Sequence, residues 1–237
     1  MTINKRTTKF KPLYKKFLSL RENVQNRQKL LKFQKKKWKK FITFYKNKLK
    51  RYRKFKLQNQ NIHVVSKRPD RYNAYTNRYK RGLKTTNQLR LFIGNIRKKS
   101  LSRLAKISQN NHYSNLNQLF LETLERRLDL ILFRSKLCYS IRNAQQLVAH
   151  RKVSVNEKVI RTSSYLVKNN DIITINLQSR DLIESNIQKV SIWPLPPKYL
   201  TINYKTMQII VGNIENMNTS VLFSFNLNLD KILGTHL

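Results

Sequence analysis

Residues 119–175 decide the fold, and their sequence is LFLETLERRLDLILFRSKLCYSIRNAQQLVAHRKVSVNEKVIRTSSYLVKNNDIITI. The first part repeats apolar residues at the spacing of one helix face, at Leu121, Leu124, Leu128 and Ile131 or Leu132. This spacing predicts a helix that buries its leucines. Arg127 and Arg134, seven residues apart, are then expected to lie together on another face.

A second short helix is predicted after Ser140, a good N-cap residue because its hydroxyl can accept a backbone N–H. The residues that this helix is expected to bury are Ile141, Ala144, Leu147 and Val148. Those expected to point outward are Arg142, Gln145, Gln146 and Ala149. The outward face is therefore predicted to be polar.

Short strands are predicted downstream of this helix. Val153, Val155, Val159 and Ile160 flank a turn at Asn156-Glu157. Residues 165–167 and 172–175 are also strand-like, and they flank a turn at residues 169–171. The pattern predicts an α+β fold in which two short helices pack on a small twisted sheet.

The composition indicates a polyanionic partner. The 237 residues include 50 Lys plus Arg against 11 Asp plus Glu, which gives a formal net charge of +39. Because a compact protein with this charge repels itself strongly, we expect its cations to be neutralised from outside. The length excludes a large multidomain enzyme. The 11 Tyr and 11 Phe are too many for a simple disordered polycation, so at least part of the chain is expected to fold.

The few cysteines and histidines argue against a metal site. Cys138 is the one cysteine, and the four histidines have no spacing typical of metal ligands. The most apolar stretch, residues 206–229, is interrupted by Glu215 and several Asn, so no membrane span is predicted. We therefore expect no metal, no cofactor and no membrane partner.

Most of the positive charge lies in the first half. Residues 1–110 hold 35 basic and 2 acidic residues, a balance of +33, while residues 111–237 hold 15 and 9, a balance of +6. Apolar residues recur at helical spacing at Leu31, Trp38, Ile42, Tyr45, Leu49 and Tyr52, which predicts one long helix from about Arg21 to Lys56. Its lysines, including Lys36, Lys39 and Lys40, are expected to contact RNA, with a merely solvated basic face as the alternative.

Residues 61–84 lose this periodicity. Arg71, Arg78 and Arg81 interleave there with tyrosines, a pattern that suits an irregular RNA surface. Thr85 or Thr86 is expected to cap a further helix that continues through Gly94, and Arg90 within it is a further expected RNA contact.

Specific residues resemble the S4 RNA-binding domain. They are Leu124-Glu125-Arg126-Arg127-Leu128-Asp129, Phe133-Arg134, Ser140, residues 144–150 (AQQLVAH), residues 153–156 (VSVN), Ser164-Tyr165 and Asp171-Ile172-Ile173. Outside that domain, Leu89-Arg90 with Ile93-Gly94 and Pro197-Lys198-Tyr199-Leu200 resemble the ribosomal protein S4 family of the small subunit. The resemblance is strong over about residues 86–176 and weak elsewhere.

The resemblance implies a structural RNA-binding protein that joins the 5′ and body regions of small-subunit rRNA early and supports subunit assembly. It also implies that the S5 family and the messenger RNA entry region are neighbours, and that DNA is not a partner. The implied phosphate contacts are Arg127, Arg134, Arg142, Arg151 and Lys152. The implied polar contacts are Ser140, Gln145, Gln146 and His150, although His150 can equally be a simple helix-end residue.

The sequence also departs from the family. Gln145 stands where the family usually has Arg, and Glu157 and Asn170 stand where it usually has Gly. Asn tolerates the left-handed conformation, so we expect the turn at Asn170 to be preserved. Gln145 is a weaker phosphate contact than Arg, which gives Arg142 a larger expected role.

Four segments are predicted: a basic helical arm at 1–60, a basic linker and helical N-terminal domain at 61–118, the S4 domain at 119–176, and a β-rich C-terminal extension at 177–237 that returns to the N-terminal domain. The many Asn, Lys and Ile favour an organelle-encoded mitochondrial protein, with a plastid or the bacterial cytoplasm as alternatives.

Two other functions remain open. One is a general basic protein that condenses RNA or DNA. The other is a pseudouridine synthase, because Arg127-Leu128-Asp129 matches the motif that holds the catalytic Asp in those enzymes. We expect Asp129 instead to pair with Arg126, and too few residues follow the binding domain for a catalytic domain.

Overall fold

A computed structural model describes residues 13–20, 24, 34–44, 47, 74–109, 115–188, 196–214, 223, 225 and 227–236. The described residues fall into two compact units. The first contains those up to Leu89 together with Phe223, Phe225 and Leu227, and the second contains the rest.

A small aromatic core lies in the first unit. Helix α1 spans Leu13–Leu20, and residues 36–44 form another helix. The ring of Trp38 meets that of Phe17 edge-on with centroids 6.3 Å apart, and it lies 5.0 Å from the ring of Phe41. All three side chains are buried. The core therefore joins α1 to the helix at 36–44.

The prediction of one helix from Arg21 to Lys56 is wrong. Val24, Gln34 and Lys35 are not helical, and the backbone carbonyl of Lys35 accepts the N–H groups of Trp38 and Lys39 where the helix begins. Helices in proteins gain most of their stability from a packed face, and Trp38 is the first buried residue of the helix at 36–44. Of the predicted apolar stripe, Trp38 is buried and Ile42 is half-buried. Leu31, Tyr45, Leu49 and Tyr52 lie outside the described residues.

A long helix, α2, spans Ala74–Phe92, and α3 spans Lys98–Gln109. The prediction that Thr85 or Thr86 begins a helix is wrong, because the Thr85 hydroxyl instead donates to the carbonyls of Arg81 and Gly82 within α2. The predicted continuation through Gly94 is also wrong. Gly94 has φ +73°, and the N–H of Asn95 donates to the carbonyl of Arg90 at 2.7 Å, a pairing that ends a helix.

The helix predicted from the leucine spacing is two helices. Asn115 caps α4, Leu116–Glu125, and α5 spans Leu128–Arg134. Between them Arg127 is extended (φ −71°, ψ 133°) and forms an isolated β-bridge with Leu166. Residues 165–167 were predicted as a strand, and this bridge is the pairing they form.

The second predicted helix and the hairpin are confirmed. Helix α6 spans Ile141–Ala149, and the Ser140 hydroxyl accepts the N–H of Asn143. Strands β1, Val153–Val155, and β2, Lys158–Val159, pair antiparallel. Asn156 and Glu157 both have positive φ, as a two-residue type I′ turn requires. Asn170 also has positive φ, as expected for that turn.

The C-terminal segment extends the same sheet. Strand β3, Ile172–Ile175, is followed by helix α7, Arg180–Gln188, and by strands β4, Leu200–Asn203, and β5, Gln208–Val211. The sheet order is β2-β1-β3-β5-β4, and all pairings are antiparallel. The predicted α+β class is therefore confirmed.

The core of the second unit lies between this sheet and the pair α5 and α6, which pack on each other. Helix α8, Leu229–His236, packs against α3 and α4. The described residues of the C-terminal segment thus contribute two strands and two α-helices. The four predicted segment boundaries stay predictions.

Replacing Gly94 by Ala is expected to lower the free energy of unfolding. The left-handed backbone alone costs an L-residue about 1–2 kcal/mol. A Cβ at Gly94 would also lie 2.7 Å from the Gln145 amide, which would have to move. Chemical denaturation of Gly94→Ala measures the loss.

Gly234→Ala is the matched control, because Gly234 lies in α8 and a Cβ there meets nothing within 4 Å. Alanine suits a helix better than glycine, so this variant should be unchanged or more stable by up to about 1 kcal/mol. Equal losses for the two variants would contradict the role given to Gly94.

Candidate nucleic-acid interface

Arg134 is held inside the protein by an acidic partner. Its guanidinium donates to Glu125 through Nε at 2.9 Å and through a terminal nitrogen at 2.7 Å. The Tyr199 hydroxyl donates to the same carboxylate at 3.0 Å. Glu125 has no exposed surface and Arg134 is 9 % exposed. The three side chains join the end of α4, the end of α5 and the residue before β4.

Burial and charge act in opposite directions on this cluster. Burial lowers the pKa of the Arg134 guanidinium and the Glu125 charge raises it, with the net result above its ordinary value. Burial, followed by the Glu125 charge, raises the pKa of the Tyr199 hydroxyl. Burial also lowers the pKa of the nearby Lys136 ammonium, and the positive charge of Arg134 lowers it further. The Arg134 guanidinium therefore stays charged and is committed to Glu125.

Arg127 is also committed to a buried carboxylate. Its Nε and a terminal nitrogen donate to the two oxygens of Asp129 at 3.0 and 2.7 Å. Asp129 is fully buried, and Arg127 is 3 % exposed. The predicted pairing of Asp129 with Arg126 is wrong, because Arg126 pairs with Glu122 one turn earlier in the chain.

Gln145 lies against the turn that follows α2. Its side-chain amide donates to Asp129 Oδ2 at 2.9 Å and to the backbone carbonyl of Ile93 at 3.2 Å. The prediction that Gln145 points outward is wrong, since the residue is half-buried and its amide is used within the protein. It ties α6 to both α5 and the turn at Gly94.

The prediction that Arg127 and Arg134 lie together on one helix face is wrong as well. That prediction assumed one continuous helix, in which residues seven apart lie on one side. The extended backbone at Arg127 interrupts the helix, and each arginine turns to its own carboxylate. The phosphate contacts predicted for these two residues conflict with this burial.

The remaining candidates of the S4 region lie at the surface. On α6, Arg142 and Gln146 are exposed on the side away from Leu147 and Val148. His150, the C-cap residue of α6, and Arg151 are exposed, and Lys152 is half-buried. The Ser140 hydroxyl is used as the helix cap, so Ser140 is chiefly a structural residue. The structure thus brings five polar or basic side chains to α6 and the turn after it.

The N-terminal candidates have mixed positions. Lys36, Lys39 and Lys40 are exposed on the helix whose other side buries Trp38. Arg81 is exposed on α2, and the backbone of Arg78 lies in the same helix. Arg90 is half-buried, and its Nε donates to the carbonyl of Ile96 at 2.8 Å. Burial lowers the pKa of Arg90. Arg71 lies outside the described residues.

The sequence interpretation missed one set of cations. Helix α3 exposes Lys99, Arg103 and Lys106, whose spacing of four and three residues places them on one face. That periodicity is visible in the sequence, but it is a spacing of charges, which the pattern of apolar residues does not contain. Lys136 was also missed, and its ammonium lies 5.5 Å from the centre of the Phe133 ring.

Metal binding, membrane crossing and thiol chemistry have little support in the described part of the chain. No group of three His, Cys, Asp or Glu side chains there could hold a metal ion, and no described helix is long and apolar enough to cross a membrane. Cys138 is buried, and burial raises the pKa of its thiol to about 12. This thiol is therefore not poised to act as a nucleophile.

Comparison with known proteins identifies the family of this chain. The family described as "S4 domain" matches residues 126–173. The mitochondrial small ribosomal subunit protein uS4m of Reclinomonas americana is 31% identical over 178 residues, which cover 71% of this chain and 69% of that protein. The chain belongs to the uS4 family. The predicted family is thereby confirmed.

Other uS4 relatives come from several compartments. The uS4m protein of Marchantia polymorpha is 34% identical over 133 residues, which cover 54% of this chain and 66% of that protein, just under two thirds. The chloroplast uS4c protein of Euglena longa is 33% identical over 173 residues, which cover 72% of this chain and 79% of that protein. These uS4 names describe ribosomal proteins rather than enzymes, in keeping with the paired and buried state of Asp129.

Arg134→Ala is expected to destabilise this uS4 protein, because it leaves the buried Glu125 carboxylate without its cation. Removing one partner of a buried ion pair typically costs about 3–5 kcal/mol. Arg142→Ala is the matched variant, since Arg142 is exposed and should contribute little to folding. Thermal melting and rRNA binding of both variants are the measurements.

Arg142→Ala should melt like the parent protein and bind rRNA more weakly. Arg134→Ala should melt at a lower temperature. If Arg134→Ala keeps the parent melting temperature but loses RNA binding, the assignment of Arg134 to the core is wrong.

Proposed function

We propose that the chain binds small-subunit rRNA through the outward face of α6 and the turn after it. Arg142 and Arg151 are exposed there, and neither forms an ion pair within the described residues. In contrast, Arg127 and Arg134, which are buried, are matched to carboxylates. Cations left without an internal partner suit phosphate, which positions a protein on RNA.

Polar side chains on the same face complete the proposed contact. Gln146 and His150 can hydrogen-bond to sugar hydroxyls or to base edges that an irregular RNA exposes. Lys152 follows, directly before β1. The single observation that carries the proposal is the exposure of Arg142, Gln146, His150 and Arg151, on and just after a helix whose other face is fixed in the core, with no ion pair to Arg142 or Arg151 from the described residues.

We propose that the basic arm is a second contact with rRNA. Lys36, Lys39 and Lys40 are exposed, and Trp38 and Phe41 pack on the inner side of the same helix. Like charges at this density oppose the helix unless phosphates neutralise them. Arg78 and Arg81 of α2 and Arg71 are proposed to act in the same way.

The wider role rests on family membership. We propose that the protein binds the 5′ and body regions of the rRNA early and supports folding of the subunit body. Proteins of the S5 family and the messenger RNA entry region are the proposed neighbours. Mitochondria are the proposed location, supported by the composition and by the mitochondrial relatives.

Binding to structured rRNA should be steeply salt-dependent. Each neutralised phosphate releases counterions, so the affinity should fall by several orders of magnitude between about 50 and 200 mM salt if six or more phosphates are contacted. Filter binding with a transcript of the small-subunit rRNA 5′ domain measures this slope.

Double-stranded DNA of equal length is the control ligand. It should bind more weakly because it lacks both the folded shape of the rRNA and the 2′-hydroxyls. Equal affinity for DNA and rRNA at every salt concentration would favour a general condensing protein instead.

A further inference from the structure

Helix α3 carries a basic stripe formed by Lys99, Arg103 and Lys106. All three side chains are exposed. At 3.6 residues per turn, their spacing places them within about 60° around the helix and over about 10 Å of its length. The opposite face is buried through Leu101, Leu104, Ala105 and Ser108. The stripe is therefore held outward by packing on the other side of the helix.

No acidic side chain neutralises the basic stripe within the described residues. Helix α4, which packs on α3, has two carboxylates, Glu122 and Glu125, and each is paired with an arginine. Helix α8 also packs on α3, and its Asp230 accepts a hydrogen bond from the Asn117 amide at 2.7 Å. Three adjacent cations without counter-charge raise the free energy of the protein unless an anion binds.

The basic stripe is fixed in position relative to α6. The turn that leads into α3 contains Ile93, whose carbonyl accepts from the Gln145 amide of α6. Gly94 follows, and a Cβ there would collide with the same amide, so the turn and α6 are in close contact. On the other side of this turn, the Nε of Arg90 donates a hydrogen bond to the carbonyl of Ile96. These contacts hold the basic stripe and the outward face of α6 in a fixed position relative to each other.

We propose that the basic stripe is a further binding surface for the phosphate backbone of the rRNA, acting together with the α6 face. The proposal rests on the proposed function, since it names a second contact for the same ligand. A row of evenly spaced cations on a helix matches a row of phosphates and needs no base contact. An acidic segment of a neighbouring protein is the competing occupant, and the experiment separates the two.

The test compares two triple variants of the full chain with the same change in charge. One removes the basic stripe: Lys99→Gln, Arg103→Gln and Lys106→Gln. The control removes three exposed lysines on turns and loops of the sheet: Lys168→Gln, Lys198→Gln and Lys205→Gln. The probe is an in vitro transcript of the 5′ domain of small-subunit rRNA, and affinity is measured across a range of salt concentrations.

The stripe variant should bind the transcript about 10- to 100-fold more weakly, with a salt slope smaller by about 2, because three phosphate contacts are lost. The control variant should change much less. A charge-preserving variant, Lys99→Arg, Arg103→Lys and Lys106→Arg, should bind like the parent, which separates loss of charge from damage to the helix.

Three outcomes would overturn the inference: equal weakening in the stripe and control variants, parent-like binding by the stripe variant, or weakened binding by the charge-preserving variant. Parent-like binding by the stripe variant is also the result expected if a neighbouring protein covers the stripe. Failure of the proposed function looks different, because the parent chain itself would then not prefer the transcript over DNA.

Discussion

The arrangement of the second unit depends on one interaction, the pairing of the buried Asp129 carboxylate with Arg127 and Gln145. A fully buried carboxylate is costly unless it is paired and hydrogen-bonded, and Asp129 receives both the Arg127 guanidinium and the Gln145 amide. Arg127 must leave the helical conformation to do this, and Gln145 must face inward. The same carboxylate therefore separates α4 from α5 and positions α6.

The second buried cluster fixes the other end of α5. Arg134, Glu125 and Tyr199 connect α4 and α5 to the start of the C-terminal strands. Because these charges satisfy one another, the buried arginines of the second unit differ in role from its exposed, unpaired ones within the described residues. Arg127 and Arg134 stabilise the fold, whereas exposed residues such as Arg142 and Arg103 are left for an external anion.

Local patterns were enough to predict much of the second unit. The Ser140 cap, the buried face of α6 and the Asn156-Glu157 turn depend on neighbours a few residues away, and each was predicted correctly. The exposed state of Arg142 followed from the same helical period. The family was predicted from the short motifs that resemble the S4 domain.

Contacts between distant residues account for the errors. The break at Arg127 needs the bridge to Leu166, and the inward turn of Gln145 needs Asp129 and Ile93. No spacing rule within one helix contains these contacts. In the first half of the chain, the many lysines and arginines gave no clear signal for the ends of the helices.

The division between structural and RNA-binding arginines is tested most directly by chemical modification. Phenylglyoxal labelling, read by mass spectrometry, compares the free protein with its rRNA complex. Arg127 and Arg134 should be unreactive in both states, whereas Arg103 and Arg142 should react in the free protein and be protected by rRNA. Ready labelling of Arg134 in the free protein, with protection by rRNA, would contradict the division.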